Sequence, residues 1–65
     1  MQNKVRQARE AANMTALELA KLAGVSEMRV YSIERGRARV CSAEAARLGA
    51  ALGVAPELLF AEGVR

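Results

Sequence analysis

Residues 15–36 read TALELAKLAGVSEMRVYSIERG, and this stretch decides the fold. Thr15 and Glu18 have the spacing of a capping box, in which each side chain accepts a hydrogen bond from the backbone N–H of the other residue. A helix is therefore predicted over residues 16–23. Gly24 is expected to end this helix, because glycine adopts the positive φ of a sharp turn without a Cβ clash.

A second helix is predicted to follow this turn almost at once. Ser26 is a residue type that caps helix N-termini, and the helix is expected to continue to about Arg35 before a stop at Gly36. Two helices of this length, joined by a short turn that contains glycine, are typical of a helix-turn-helix. Residues 15–36 are therefore predicted to form one, and its second helix is called the recognition helix below.

The rest of the sequence also favours helices over strands. Ala, Leu, Glu and Arg are abundant, and sustained alternation of apolar and polar residues is rare. Asn13 and Gly53 are expected helix stops, Ser42 an N-cap and Pro56 a first helical residue. These signals predict further helices over roughly residues 3–12, 42–52 and 56–60. We therefore expect an all-α fold of five short helices in a single domain that covers residues 1–65.

Composition argues against several classes of protein. The chain has no histidine and one cysteine, Cys41, so neither an internal disulfide nor a Cys/His metal cluster can form. Without histidine, aspartate or a phosphate-binding glycine loop, we expect no enzyme, no metal and no cofactor. No apolar run approaches the roughly 20 residues of a membrane span, and no signal peptide is evident. An unpaired cysteine, expected to be half-buried near a helix start, fits a cytoplasmic protein.

Positive charge is concentrated away from the C-terminal end. The net charge is +3, and nine of the ten basic residues lie in the first 47 positions, whereas the tail is apolar and slightly acidic. Such a distribution can present one face to a polyanion and keep another for a partner. An ordinary solvated surface explains the charge equally well, so charge alone leaves both interpretations open.

The sequence resembles the Cro and phage-repressor-like (Xre) helix-turn-helix family over nearly its whole length. The order and spacing of several short segments carry this resemblance. They are VRQAR at 5–9, MT at 14–15, LA at 19–20, GVS at 24–26, IERG at 33–36, ALGV at 51–54 and LLF at 58–60. The resemblance implies a lambda-repressor-like DNA-binding fold with the helix-turn-helix at helices 2 and 3. It also implies a small bacterial transcriptional regulator whose recognition helix lies in the major groove.

The resemblance gives expected roles to residues before and at the end of the recognition helix. Arg9 and Glu34 match positions that commonly form an ion pair between the first and third helices, although two unrelated surface charges are the alternative. Thr15 and Ala16 begin the helix whose N-terminal N–H groups usually meet a phosphate of the DNA backbone. Because the family often has glutamine in place of Ala16, one contact is expected to be missing.

The connector after the recognition helix matches a segment that usually touches backbone phosphates. Its basic residues are Arg35, Arg37 and Arg39, and contacts of this kind set affinity and register rather than sequence preference. Tyr31, at the margin of the recognition helix, is expected to reach a phosphate through its hydroxyl.

Base reading is expected from the exposed face of the recognition helix. Arg29 has the geometry to bond guanine, Met28 to pack on a thymine methyl, and Ser32 to meet several base edges. Glu27 can accept from cytosine N4, but it is an acid facing a polyanion where the family more often has Gln, Arg or Ser. It can equally stabilise the helix, paired with Arg29 or Lys21, and the sequence leaves these two roles open.

The apolar segment 54–64 is the expected dimer surface. Members of the resembled family often dimerise through the last helix, and a two-fold dimer would place two recognition helices about 34 Å apart over a pseudo-palindromic operator. Completion of the monomer core is the alternative role of these side chains. The residues concerned are Val54, Leu58, Leu59, Phe60 and Val64.

The predicted function is sequence-specific binding of double-stranded DNA by a homodimeric repressor or autoregulator. No residues are expected to remain for an effector domain, so no small-molecule effector is expected, and the lack of a long apolar run argues against a membrane partner. The alternative is a protein-interaction module, antitoxin-like, that keeps the fold and binds DNA weakly or not at all. Arginines outnumber glutamates around the recognition helix and its connector, which favours DNA.

Overall fold

The computed structural model describes residues 3–60, and this range contains five α-helices and no strand. In chain order the helices are α1 (Val5–Ala11), α2 (Ala16–Ala23), α3 (Glu27–Glu34), α4 (Ser42–Leu52) and α5 (Pro56–Leu59). The prediction of an all-α fold is confirmed, and the helix-turn-helix corresponds to α2 and α3. No helix within residues 3–60 is long and apolar enough to span a bilayer.

Local side-chain caps start α2 and α3 as the sequence predicts. Thr15 Oγ1 accepts from Glu18 N at 3.1 Å, and Glu18 Oε1 accepts from Thr15 N at 2.8 Å, which completes the capping box. Ser26 Oγ accepts from Arg29 N at 3.0 Å. These caps satisfy N–H groups that have no partner inside a helix, so the sequence encodes both helix starts locally.

The first four helices end in the same way. Each is followed by a residue in the left-handed region, with φ values of 57°, 73°, 73° and 69° at Asn13, Gly24, Gly36 and Gly53. The next N–H then donates to the carbonyl five residues earlier, which is the closing hydrogen bond of a Schellman motif. These bonds, all of 3.0 Å, join Met14 to Arg9, Val25 to Ala20, Arg37 to Ser32 and Val54 to Gly49. The sequence thus sets where these helices stop.

The start of α4 differs from the prediction. Ser42 is the first helical residue, and the N-cap is Cys41, whose side chain makes no capping hydrogen bond. Cys41 is also exposed rather than half-buried. Val40 just before the helix and Glu44 in its first turn are both buried, so packing around these two residues, and not a local cap, fixes where α4 begins.

The core is centred on α2, which packs against α3 and α4. Every helix contributes at least one fully buried large side chain, and burying one such side chain stabilises a fold by roughly 1.5–3 kcal/mol. The six largest are Val5, Leu19, Val30, Ile33, Leu48 and Leu59. Ala20 and Ala23 on α2 are buried as well, and their small size lets neighbouring helices approach closely.

The last helix connects the two ends of the described chain. Leu59 O accepts from Lys4 N at 3.0 Å. The side chains of Leu59 and Phe60 belong to the core, with exposed fractions of 1% and 7%. Leu59 and Phe60 therefore form part of the core of the monomer and are not available to a partner.

Gly49 is a point of close approach between α4 and the segment that leads into α5. A Cβ atom at this position would lie 2.6 Å from Val54 O and 3.3 Å from the Pro56 ring. Val54 N also donates to the Gly49 carbonyl, so the two backbones cannot separate without losing the closing hydrogen bond of α4. The missing side chain of Gly49 is what allows α5 to reach the core.

Gly49→Ala is expected to destabilise the protein by roughly 1–3 kcal/mol, the usual cost of overpacking. The direction of the change in stability is informative, because alanine at an unobstructed helix position stabilises by about 1 kcal/mol relative to glycine. Urea denaturation followed by circular dichroism measures the free energy of unfolding. Ala50→Gly, at the exposed neighbouring position, calibrates helix propensity. A Gly49→Ala protein at least as stable as the wild type would contradict the close approach.

Candidate nucleic-acid interface

The N-terminal turn of α3 is open to solvent. Glu27 and Met28 are exposed, with 74% of the Met28 surface accessible. Val30 and Ile33 are fully buried and attach the helix to the core, and Ser32 is half-buried. The structure thus leaves Glu27, Met28 and, in part, Ser32 available to a ligand on the outer face of α3.

The ion pairs considered for Glu27 do not form. Among residues 3–60, no salt bridge joins Glu27 to Arg29 or Lys21. Its carboxylate instead lies in the first turn of α3, where a negative charge is favourable because of the helix dipole.

Arg29 is bound to the protein itself, contrary to the expectation that it faces DNA freely. Its Nε donates to Glu44 Oε2 at 3.0 Å, and its Nη2 donates to Glu44 Oε1 at 2.7 Å. The same Nη2 donates to the carbonyl oxygen of Arg39 at 2.8 Å. The Glu44 side chain is 8% exposed and that of Arg29 is 39% exposed, so the pair lies at the edge of the core.

Arg29 and Glu44 each stabilise the charged form of the other. Hydrogen bonding to Arg29 holds the pKa of the Glu44 carboxyl below its ordinary value, although burial opposes this effect. The pKa of Arg29 is raised, chiefly by its hydrogen bonds to Glu44. Both groups are therefore charged at neutral pH, and the contact is a bidentate ion pair.

The basic connector, residues 35–41, joins α3 to α4 and carries Arg35, Arg37 and Arg39 in exposed positions. Within the described range, none of these three arginines forms a salt bridge. Because Arg29 holds the carbonyl of Arg39, the far end of the connector lies beside the first turn of α3. The structure therefore places three available positive charges on a segment that begins at the end of α3 and passes beside its first turn at Arg39.

The N-terminus of α2 uses part of its hydrogen-bonding capacity for its own capping box. Ala16 is 4% exposed and belongs to the core, so its methyl group packs inward. The Thr15 N–H is already donated to the Glu18 carboxylate. The Thr15 hydroxyl oxygen accepts from Glu18 N while its hydrogen is free to donate, and the first N–H groups of α2 itself have no acceptor within the helix.

Arg9 and Glu34 meet as the resemblance implies. Arg9 Nε donates to Glu34 Oε2 at 2.7 Å and Arg9 Nη1 to the Met14 carbonyl at 2.9 Å, with side chains only 13% and 6% exposed for Arg9 and Glu34. Hydrogen bonding to Glu34 raises the pKa of Arg9. The pair joins α1 to the last residue of α3, and Tyr31 lies exposed beside Glu34 and Arg35 in a groove between these helices.

Two residues that support α3 were absent from the sequence-based set. Glu44 is one, because a first-turn acid on α4 is ordinarily explained by the helix dipole. Asn3 is the other: its Nδ2 donates to Ile33 O at 2.7 Å and its Oδ1 accepts from Val5 N at 3.1 Å. No local signal identifies the Arg29–Glu44 contact or the Asn3–Ile33 contact, since the partners are 15 and 30 residues apart.

The predicted dimer residues separate into three groups. Leu59 and Phe60 are core residues of the chain itself, so they do not offer the free apolar surface that the dimer prediction assigned to them. Leu58 is 63% exposed and Val54 is half-buried. Val64 lies outside the described residues.

Glu34→Gln is expected to destabilise the protein by roughly 3 kcal/mol, because it leaves the mostly buried Arg9 charge without its partner. Thermal or urea denaturation measures the loss. Glu10→Gln is the matched control, since Glu10 pairs with Arg6 in an exposed bridge with side chains 56% and 70% accessible. That control is expected to change stability by about 0.5 kcal/mol or less. Equal effects of the two variants would show that the Arg9–Glu34 pair has no special role.

Comparison with known proteins agrees with this geometry. A sequence-family profile described as a helix-turn-helix domain matches residues 3–61. No curated protein matches the chain. Among solved structures, the chain is similar to the restriction-modification controller protein C.AhdI from Aeromonas hydrophila, with 32% identity and a TM-score of 0.83. That match covers 88% of this chain and 86% of the other.

The DNA-binding domain of the P22 C2 repressor is also similar in structure. It has a TM-score of 0.79 at 22% identity, and the match covers 88% of this chain and 83% of that domain. At this identity the likeness shows the fold alone. Together, the comparisons confirm the helix-turn-helix family and the lambda-repressor-like fold that the sequence predicts.

Proposed function

The chain belongs to the helix-turn-helix domain family, and we propose that it binds double-stranded DNA in a sequence-specific manner as a small transcriptional regulator. In this proposal α3 enters the major groove while α2 crosses the phosphate backbone. The protein acts by binding and not by catalysis, in the cytoplasm and without a small-molecule effector. Its similarity to a restriction-modification controller protein and to a repressor domain supports this class of function.

The basic connector carries the proposal, because it follows α3 directly and is bonded at Arg39 to the first turn of that helix. Arg35, Arg37 and Arg39 are exposed and unpaired within the described residues. Positive side chains arranged in this way bind phosphates and release counterions, which supplies affinity that does not depend on sequence. Tyr31 and the Thr15 hydroxyl are further candidates for phosphate contacts, because both are exposed.

Base preference is assigned to Glu27, Met28 and Ser32. Met28 is the most exposed of the large apolar residues of the described chain, and its side chain suits a thymine methyl group. Glu27 is an acceptor for cytosine N4, and Ser32 can donate or accept at a base edge.

The local charge balance favours DNA over a protein partner. Arg9 is neutralised by Glu34, and Arg29 by Glu44. Around α3 and its connector, three arginines then remain against Glu27 alone. A protein-interaction module that has lost DNA binding is the second candidate, because Glu27 and the exposed Met28 also suit a protein surface.

Selection from a random duplex library, followed by titration at several salt concentrations, is expected to yield a preferred site. That site should bind at least about 10³-fold more tightly than random duplex, and affinity should fall steeply with salt. Met28→Ala is expected to relax the preference at one base pair. Leu22→Ala, which truncates a similarly exposed apolar residue on α2, is expected to leave the preference unchanged.

Absence of binding to any duplex at low salt would contradict the DNA proposal and favour the protein-interaction candidate. A preferred site that Met28→Ala leaves unaltered would contradict only the assignment of Met28 to base reading.

We also propose that the regulator is a homodimer whose interface is centred on Leu58 and includes Val54. Leu58 is 63% exposed on α5, and Val54 is half-buried. A two-fold arrangement would give recognition helices about 34 Å apart and a pseudo-palindromic site.

Leu58→Glu is expected to shift the protein from dimer to monomer, because it places a charge at the centre of the proposed contact. Sedimentation velocity over a concentration series measures the mass in solution. Leu22→Glu is a closely matched control, since Leu22 is also 63% exposed but lies on α2. A wild-type mass that Leu58→Glu leaves unchanged would place any interface elsewhere.

A further inference from the structure

We propose that Arg29 is a positioning residue of the DNA interface, which through Glu44 and the Arg39 carbonyl holds the basic connector ready for phosphate contact. It then reads no base. This inference rests on the proposed function, and it replaces the guanine-reading role that the exposed face of α3 suggests for Arg29.

The contacts of Arg29 span three elements. The residue lies in the first turn of α3, Glu44 lies in the first turn of α4, and Arg39 belongs to the connector between them. One guanidinium therefore joins both helix starts to the backbone of the connector, through hydrogen bonds of 2.7, 2.8 and 3.0 Å. Removal of this group breaks its hydrogen bonds to both neighbouring elements at once.

The hydrogen-bonding capacity of Arg29 is largely used by these contacts. A guanidinium has five N–H donors in a fixed fork, and here the Nε and Nη2 side of the fork faces the Glu44 carboxylate. Bidentate recognition of guanine uses a fork of the same kind. Turning it toward DNA would leave Glu44, which is 8% exposed, as a nearly buried charge without its partner, and that is costly.

The connector gains a defined path from this contact. Its first part is held by the Arg37 N–H bond to Ser32 O, and Val40 near its end is buried. Between these points, the bond from Arg29 to the Arg39 carbonyl fixes the backbone while the Arg37 and Arg39 side chains remain exposed. A connector ordered before binding loses less conformational entropy when it meets phosphates.

Glu44→Gln separates positioning from simple charge. The substitution removes a negative charge next to the interface, so electrostatics alone predicts tighter DNA binding. A positioning role predicts the opposite. The weakened contact frees the connector, so affinity for the selected site falls about tenfold. The slope of the logarithm of affinity against the logarithm of salt concentration also decreases by about one phosphate contact. Base preference stays unchanged. Glu10→Gln, which removes an exposed charge on α1, is the control and should not weaken binding.

Arg29→Lys is the second variant, and it keeps the net charge. A lysine cannot reproduce the bidentate fork together with the bond to the Arg39 carbonyl, so the same loss of affinity with unchanged preference is expected. Backbone ¹⁵N relaxation of the free proteins should show residues 37–41 more mobile than in the wild type on the ps–ns timescale. Far-UV circular dichroism at the titration temperature confirms that each variant is folded.

The outcomes are distinguishable. Tighter or unchanged binding by Glu44→Gln, an altered base preference in Arg29→Lys, or a connector as ordered as in the wild type would overturn the positioning role while leaving the DNA-binding proposal intact. Failure of the wild-type protein to bind any duplex would overturn both proposals.

Discussion

The placement of α3 depends on ion pairs at both of its ends. The helix buries only Val30 and Ile33, and further contacts restrain each of its ends. Glu34 at its last residue is bonded to Arg9 of α1, while Arg29 in its first turn is bonded to Glu44. In each pair the carboxylate is nearly buried, so displacement of its arginine would leave a buried negative charge without a partner, which is destabilising. The recognition helix is thus restrained from opposite ends by different neighbours.

These pairs also sort the basic residues into two groups. Arg9 and Arg29 are neutralised inside the framework, whereas the arginines of the basic connector remain exposed. A net charge of +3 over the whole chain therefore understates the local field, because three arginines that form no salt bridge within residues 3–60 follow α3 directly. Charges placed close together on an ordered backbone attract a polyanion more strongly than the same number dispersed over a surface. The two ion pairs therefore leave the remaining arginine charge concentrated on one ordered segment.

Short-range signals predict much of this fold, and long-range contacts account for what they miss. A capping box and a left-handed glycine act within a few residues, so the bounds of α2 and the start of α3 are readable from the sequence. The Arg9–Glu34 contact spans 25 residues and is expected only through family resemblance. The Arg29–Glu44 contact spans 15 residues and has no such guide. Helical periodicity assigns Arg29 to an outer face without showing that α4 supplies a buried acid there.

The end of the chain shows why apolar composition alone does not identify a partner surface. Leu58, Leu59 and Phe60 are consecutive, yet they are 63%, 1% and 7% exposed. Leu58 and Leu59 are successive helical residues, which point about 100° apart, whereas Phe60 follows the helix in a non-helical conformation with a φ of −125°. Once Leu59 and Phe60 are used by the monomer, a dimer formed through α5 has only a small apolar contact around Leu58. Small interfaces associate reversibly, so in the proposed dimer the occupancy of a two-fold DNA site would depend on the concentration of the protein.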